Sequence, residues 1–404
     1  MPKLALHWQI LIALVLSVVF GLVFTDYVVY VTWMGDVFLR ALRMLIVPLI
    51  FASIVSGVTG IGTARNLGRM SVKTFSYYLT TSIFAILTGL FMVNLLQPGR
   101  GADLGLSGRV EGLDAGAESF GQTLINIIPV NIVEAMAADN MLSIIFFAIL
   151  FGFFTIRIRT DLQKPLVKAF NAIFEVMMRI TMFVIRFTPL GIFGIVSNVV
   201  SQHADNMVSL ANSMGIYMLA VIGALSIHAL LTLPLLLSII GRANPLKQFR
   251  SMSLPLLTAF STSSSNATLP LTLEAVEHNV GVSRETTGFV LPMGATVNMD
   301  GTALYECVAA LFIAQAYGIE LSLMQQGIVV LTALLASIGA AGIPMAGLVV
   351  ITIILTAVGL PLEGVGLILA VDRILDMFRT TVNVWSDSCG AAIIARSEGE
   401  KLKV

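Results

Sequence analysis

Long apolar runs recur along this chain and set what it can fold into. Ile10–Phe24, Ile83–Leu96 with its flanks, Met141–Phe154 and Leu219–Ile240 are almost free of charge. A helix crosses a bilayer with roughly 20 apolar residues. Only 11% of the 404 residues are charged, against about 25% in a soluble domain, and mean hydropathy is +0.94. That leaves too few polar side chains to face water all round. The expectation is an all-α polytopic membrane protein, since a β-barrel would show short alternating strands. The formal net charge of +0 suggests no nucleic-acid partner. Cys307 and Cys389 sit in apolar helical stretches and read as small buried residues. Lys3 followed by an apolar run resembles a signal peptide, but no small-residue cleavage site follows, so a retained first helix is expected.

Lys and Arg stay on the cytoplasmic side of a membrane protein. Lys3 precedes the first span, and the loop around Asp26 has neither residue. Arg65, Arg69 and Lys73 separate spans two and three. The stretch 98–120 is Gly-rich and mixed in charge, with Asp103, Glu111, Asp114 and Glu118. Arg157, Arg159, Lys164 and Lys168 separate spans four and five. The loop near Asp205 again lacks Lys and Arg, and Arg242, Lys247 and Arg250 follow span six. Six spans with the N-terminus inside return the chain to the inside near residue 242.

Beyond residue 250 the apolar runs are short and broken. Ser261–Asn266 interrupts one, "NMDGT" at 298–302 a second and "GAAGIPMAG" at 339–347 a third. Polar breaks at membrane depth are tolerated only where they are buried in protein or line a cavity. Paired interruptions in successive segments point to a transporter binding site. The expectation is a re-entrant hairpin over about 245–280, a broken helix over about 284–316, a second hairpin over about 322–358 and a final helix over about 361–396. The plainer alternative is that Gly342 and Pro344 merely kink an ordinary span.

The final helix holds a polar stripe. At 100° per residue, Asp372, Asp376, Arg379, Thr380, Asn383 and Asp387 fall within a sector of roughly 100°. Charge at mid-bilayer costs about 2.5–3.5 kcal/mol even on the lenient insertion scale, so such groups face an interior site or one another. Internal salt bridges would explain one Asp–Arg pair. They do not explain Thr380, Asn383 and Asp387 on the same face. Arg379 offers a planar fork for a carboxylate, Asp376 can receive an ammonium, and Asn383 suits either end. Together they read an amino acid with an extra acidic group. Asp387 suits a hard cation, and Asp300 adds a carboxylate beside Asn298 and Thr302, with Thr81 and Ser82 as further hydroxyls. Composition does not distinguish sodium from a proton.

Four motifs, "STSSSNATLP", "NMDGTALYE", "ASIGAAGIPMAG" and "DRILDMFRTTVNVWSD", resemble the glutamate transporter family of dicarboxylate/amino acid:cation symporters, and within it the prokaryotic glutamate/aspartate transporters. The likeness runs over essentially the whole chain in the family's order. It implies eight transmembrane helices and two re-entrant hairpins arranged as inverted repeats. It also implies a homotrimer in the plasma (inner) membrane, among membrane lipids, with both termini cytoplasmic. Each protomer would have a fixed scaffold (1–72 and 121–208) and a transport domain (73–120, 209–242 and 243–404) that moves as an elevator, gated by the second hairpin tip.

Carried across residue by residue, the resemblance makes Arg379 the ligand of the substrate's side-chain carboxylate. Asp376 binds the amine with help from Thr380, and Asn383 contacts the main carboxylate region. Ser264 and Ser265 reach the α-carboxylate, Thr302 contacts substrate, and Ile343 and Gly347 lie in the gate. One sodium site would use Asp387 with backbone of Gly294, Asn298 and Asn383. A second would use Thr296 and backbone of Ser337, Ile338 and Ala340. A third would use Tyr78, Thr81, Ser82, Asn298 and Asp300. No organic cofactor is implied. The chain departs from relatives in having Ser263 where archaeal aspartate carriers have Arg. Met377 and Phe378 stand where animal transporters place an Arg, and Arg373, read as a partner of Asp372, is a substitute for it. Asn266 replaces a Ser or Gly, and Trp385-Ser386 a Thr-Gly-like pair.

The implied function is symport of L-glutamate and L-aspartate with sodium, protons or both. A neutral amino acid carrier would usually lack Arg379, and a C4-dicarboxylate carrier would not need Asp376 for an amine. An ion channel is disfavoured by the occluding hairpins. An intramembrane hydrolase built on Ser264, Ser265 and Asp300 is disfavoured because His7, His203, His228 and His278 stand in no catalytic motif. Glu306 lies in an apolar half-helix, where desolvation favours the neutral carboxyl. Proton-coupled relatives resemble this chain in having Glu there, and sodium-only archaeal relatives have Gln, so Glu306 is the expected proton carrier. The alternative is a permanently protonated Glu306 that hydrogen-bonds a neighbour.

Overall fold

The computed structural model describes residues 6–62, 68–100, 125, 127–138, 140–202, 207–339 and 346–404. Lys3, Arg65, His203, Asp205, Ala340, Ile343 and the charged stretch from residue 101 to 124 lie outside them. Among the described residues every regular element is helical. The first half holds α1 (Leu6–Val23), α2 (Thr32–Gly62), α3 (Gly68–Leu96), α4 (Met141–Thr155), α5 (Thr160–Ile185), α6 (Thr188–Gln202) and α7 (Met207–Ile227). A π-helical turn over His228–Thr232 joins α7 to α8 (Leu233–Ile239). Large apolar side chains such as Leu11, Val15, Phe84 and Phe91 stand on the outside. Water does not tolerate an outer surface of that kind, but lipid does.

The segments Thr32–Thr59, Arg69–Leu96, Val208–Ile239 and Arg284–Ala316 are long and apolar enough to cross a membrane. Trp8–Val23, Ser143–Thr155 and Leu323–Ser337 are apolar but shorter. The stretch read from sequence as span five is two helices, α5 and α6, meeting at 52°. Pro189, at the second position of α6, cannot donate to the preceding turn and explains a boundary there.

The second half is broken where the sequence is polar. Asn244 starts α9 (Pro245–Ser251) by accepting hydrogen bonds from the backbone N–H groups of Leu246 and Lys247 at 3.0 and 3.1 Å. The proline that follows is suited to a first helical position, where no N–H is needed. The first hairpin continues with α10 (Ser253–Thr262) and α11 (Ser265–Ala275). At its tip Ser263 closes α10 with φ +51°, in the left-handed region that non-glycine residues seldom occupy. Ser264 then opens α11 by accepting from the Ala267 N–H at 3.2 Å. Next come α12 (Arg284–Val297) and α13 (Asp300–Ala316), interrupted at Asn298 and Met299. The second hairpin is α14 (Leu323–Gly339) and α15 (Ala346–Ala357), and α16 (Val365–Ser397) closes the chain. The helices on either side of the expected breaks begin and end within a few residues of the bounds read from sequence, whereas 340–345, with Gly342 and Pro344, lie outside the described residues. Cys307 and Cys389 are buried free thiols.

Two packing groups are evident. Helices α1, α2, α4, α5 and α6 make most of their contacts with one another, whereas α3 and α7 pack on α13, and α16 is surrounded by α10, α12 and α13. All but one residue of α13 is buried, which makes it the axis of the second group. Outside the apolar region, Lys73 at 2.7 Å and Arg69 tie the start of α3 to Glu398 just past α16. These two cations, Lys73 foremost, hold the Glu398 carboxyl below its ordinary range.

In the first group α2 and α6 touch through glycine. A Cβ on Gly194 would lie 2.6 Å from the Gly35 nitrogen and 2.7 Å from the Val31 oxygen, both backbone atoms that cannot swing away. Gly194→Ala is therefore expected to destabilise the protein by about 1–3 kcal/mol through overpacking. The measurement is the melting temperature of detergent-purified protein, with Gly215→Ala as control, because a Cβ at Gly215 meets open space.

Candidate substrate and cation site

Arg379 is the centre of the first polar cluster on α16. Its guanidinium is buried, as are Asp372 and Asp376 on the same helix face. The Arg379 Nη2 and Nε donate to Asp376 Oδ1 at 2.5 and 3.2 Å. The Cζ lies 4.6 Å from the Tyr305 ring centroid, within reach of a cation–π attraction. Tyr305 donates its hydroxyl to Asp372 Oδ1 at 2.7 Å. That same oxygen is 3.9 Å from Arg379 Nη1, near enough for an ion pair but too far for a hydrogen bond. Nη1 has no hydrogen-bond partner among the described residues. Thr380 Oγ1 is 3.5 Å from Asp376 Oδ1. Gly347 packs so closely on the guanidinium that a Cβ there would collide with Nη1. A cleft of about 240 Å³ between α1, α6 and the first hairpin reaches Asp372 and Asp376, with Thr262 on its wall. A larger cleft of about 410 Å³, lined by Asn94, Gln315 and Gln326, lies elsewhere. Its only ion pair among the described residues, Arg100–Glu320, is exposed, whereas the smaller cleft reaches buried carboxylates.

One turn on, Asn383 bridges α16 to the interruption between α12 and α13. Its Oδ1 accepts the Gly301 N–H at 2.7 Å, and its Nδ2 donates to Thr302 Oγ1 at 3.1 Å. Gly301 is required here, since a Cβ would lie 2.5 Å from the Arg379 carbonyl oxygen.

A second cluster gathers around Asp300 and Asp387. Asp300 Oδ1 accepts from Ser82 Oγ at 2.6 Å and Thr81 Oγ1 at 3.3 Å. Its Oδ2 accepts from Ser386 Oγ at 2.6 Å and lies 3.2 Å from His228 Nε2. Asp387 Oδ1 accepts from Asn298 Nδ2 at 2.8 Å. Gly294 sits against Asp387 and the Tyr78 hydroxyl, which donates to the Val290 carbonyl at 2.8 Å. The Asn298 Oδ1 is buried and has no hydrogen-bond partner among the described residues. That orphaned carbonyl oxygen, beside carboxylates and hydroxyls, fits a hard cation, which takes oxygen ligands. Among the described residues no group of three or more His, Cys, Asp or Glu could hold a metal.

The model of the sodium:dicarboxylate symporter family matches residues 6–397. The chain belongs to that family. It is 35% identical to a proton/glutamate-aspartate symporter of Escherichia coli, across 98% of this chain and 93% of that one. It is 34% identical to a proton/sodium-glutamate symport protein of Geobacillus stearothermophilus, with 99% and 96% covered. An excitatory amino acid transporter of Caenorhabditis elegans is 35% identical over 91% of this chain and 81% of its own length. The family is one of integral membrane transporters, not enzymes, so the hydrolase reading falls. Ser264 is used as the cap of its own helix.

Other expected residues of this symporter are less closely joined. The Thr296 hydroxyl donates to the Met293 carbonyl at 2.9 Å and the Ser337 hydroxyl to the Leu334 carbonyl at 2.9 Å, each within its own helix. Their helices, α12 and α14, do pack on each other. Ile338 belongs to α14, whereas Ala340 and Ile343 are outside the described residues. Ser265 is the first residue of α11, at the half-buried hairpin tip. The expected Arg373–Asp372 pairing is corrected. Arg373 reaches Asp376 Oδ2 at 3.8 Å instead, because adjacent residues on a helix point about 100° apart whereas i and i+3 are neighbours. Glu306 is fully buried, and neither carboxyl oxygen has a hydrogen-bond partner among the described residues. Sequence reasoning missed Tyr305 and His228. Tyr305 lay inside a quoted motif, but His228 had no signal beside it.

Asn383→Ala would leave the buried Gly301 N–H unpaired and is expected to cost about 1–3 kcal/mol. Thermal unfolding in detergent checks this against Thr381→Ala, whose hydroxyl only returns to the Met377 carbonyl.

Proposed function

We propose that this chain is a secondary active symporter of L-glutamate and L-aspartate, coupled to sodium ions, protons or both. The observation that carries the reading is Arg379. A buried guanidinium, 4.6 Å from the Tyr305 ring centroid and held by two of its nitrogens on Asp376, keeps its Nη1 without a hydrogen-bond partner among the described residues, next to the two carboxylates that line the cleft. Nη1 would take the substrate's side-chain carboxylate, and Asp376 with Thr380 would take the ammonium. Asn383, Thr302, Ser264 and Ser265 would meet the α-carboxylate end, with Gly347 and Ile343 in the gate. The names of the bacterial relatives support the same cargo. Sodium is cargo here, not a resident cofactor. Asp387 with Gly294, Asn298 and Asn383 would form one site. Thr296, Ser337, Ile338 and Ala340 would form another, and Tyr78, Thr81, Ser82, Asn298 and Asp300 a third.

The proposal extends to architecture. Eight spans and two re-entrant hairpins form inverted repeats. Helices α1, α2, α4, α5 and α6 act as a scaffold in a homotrimer, and the rest moves as a transport domain by an elevator mechanism. Support comes from the two packing groups. The Lys and Arg pattern of the loops supports cytoplasmic termini. A C4-dicarboxylate cargo is the second reading, favoured by the double hydrogen bond from Arg379 to Asp376, which a substrate without an ammonium would leave in place.

Radiolabelled uptake into proteoliposomes, under separately imposed sodium, proton and potassium gradients, tests the proposal. Glutamate and aspartate should compete with each other, and succinate should not. Arg379→Cys should abolish acidic amino acid uptake, because a charge-assisted hydrogen bond of about 1.5–3 kcal/mol is lost. Near-native aspartate affinity in that variant would remove Arg379 from the site.

Glu306 is proposed as the proton carrier, since a buried carboxyl without hydrogen bonds is stable only with its proton. Glu306→Gln should retain substrate exchange while net uptake no longer responds to an inward proton gradient. Equal gradient responses in wild type and variant would refute that role.

A further inference from the structure

The two carboxylates of the cation cluster are joined through a residue that none of the proposed sites includes. Ser386 lies on α16 and is fully buried. Its hydroxyl donates to Asp300 Oδ2 at 2.6 Å and accepts from Asn298 Nδ2 at 3.0 Å. The same amide nitrogen donates to Asp387 Oδ1 at 2.8 Å. The hydrogen bonds therefore run from Asp300 through Ser386 and Asn298 to Asp387.

Two consequences follow from the chemistry of these groups. An Asn amide has two donor hydrogens on one side and a carbonyl on the other. With both hydrogens committed to Ser386 and Asp387, the Asn298 amide has one orientation, and its Oδ1 is the buried atom without a partner. Ser386 thus fixes where that oxygen points. A serine hydroxyl also has one hydrogen and two lone pairs. The hydrogen is on Asp300 and one lone pair accepts from Asn298, which leaves one lone pair for another ligand. The oxygens of Asp300, Thr81, Ser82, Asn298 and Ser386 make a set of carboxylate, hydroxyl and amide donors of the kind a hard cation takes.

We infer that Ser386 is a binding and positioning residue of the sodium site at Asp300, adding a hydroxyl oxygen and holding the Asn298 carbonyl toward the ion. This rests on the cation-coupled symport proposed above and deepens it. The neighbouring Ser388 provides a contrast. It is also fully buried on α16, but its hydroxyl returns to the Trp385 carbonyl at 2.8 Å and touches neither carboxylate.

The test uses the full chain purified in detergent, with sodium chloride titrated against choline chloride at constant ionic strength. The reading is the sodium concentration giving half-maximal thermal stabilisation. Ser386→Ala should raise that midpoint about tenfold or more, as loss of a partner orienting a metal ligand does. Ser386→Thr, which keeps the hydroxyl, should restore it, and Ser388→Ala should leave it unchanged. If Ser386→Ala does not yield folded protein, Ser386→Cys carries the same comparison, because a thiol keeps the volume but is a poor ligand for a hard cation. A midpoint in Ser386→Ala or Ser386→Cys equal to wild type would overturn the inference while leaving sodium coupling intact. An equal shift in Ser388→Ala would also overturn it, since any buried serine would then serve. A wild type whose melting does not respond to sodium would overturn both the inference and the sodium arm of the proposed function. Proton-driven uptake in proteoliposomes would then show whether symport itself stands.

Discussion

A helix interrupted inside an apolar protein exposes main-chain donors and acceptors that no water is there to satisfy. The gap at Asn298 and Met299, between α12 and α13, is that interruption, and the surrounding structure is arranged to answer it. Asn383 accepts one of the free N–H groups at the start of α13, that of Gly301. Asp300 begins α13, where a carboxylate is favoured by the positive end of the helix dipole. The C-terminal end of α12 presents the opposite partial charge, which favours a cation, and Asp387 lies there against Gly294. A single break thus sets one carboxylate, Asp300, at the start of α13 and a second, Asp387, beside the end of α12. It also explains why α16 must be polar on one face, since only side chains from a neighbouring helix can reach both ends.

The stripe on α16 is divided along its length by what it meets on α13. Near its start, Asp372 and Arg379 meet Tyr305, and the carboxylates of Asp372 and Asp376 are set against the two guanidinium groups of Arg379 and Arg373. A buried pair of this kind adds little stability compared with apolar packing, but removing one partner is costly. Its retention makes sense where a ligand exchanges with one of the partners. Farther along, Asn383, Ser386 and Asp387 face the break and meet hydroxyls and an amide rather than a cation. On the proposed function, the same face would offer an organic ion a counter-charge and a sodium ion a set of oxygens, about two helical turns apart.

Much of this was legible in the sequence because an apolar background makes each polar residue informative. The breaks at 261–266 and 298–302 stood out for that reason, and the structure places turns there. The stripe was readable from helical periodicity alone. The bend between α5 and α6 was not, because Arg186 and Pro189 stand singly in an apolar run and form no polar cluster like those at the other breaks. His228 was invisible for a different reason. A single His in α7's continuation has no local pattern, and its meaning comes only from Asp300, 72 residues away, at 3.2 Å. The π-helical turn that carries it shifts the helix register there, and such bulges are common at functional sites. Arg373 shows the limit of reading by adjacency. It stands next to Asp372 in sequence but pairs with Asp376, because helical geometry brings together residues one turn apart.

The contrast between two buried carboxyls on α13 links the site to coupling. Asp300 meets three hydroxyls and a histidine ring nitrogen. Glu306, less than two turns along the same helix, meets none among the described residues. Without a donor nearby, burial of the charged form would cost more than any single hydrogen bond returns. On the proposed function, one helix then carries both the Asp300 of a cation site and the Glu306 of the proton. Because both are on the buried α13, a movement that gave one of them a new aqueous face would move the other with it. Two different cations would then be tied to the movement of one organic substrate without a separate gate for each.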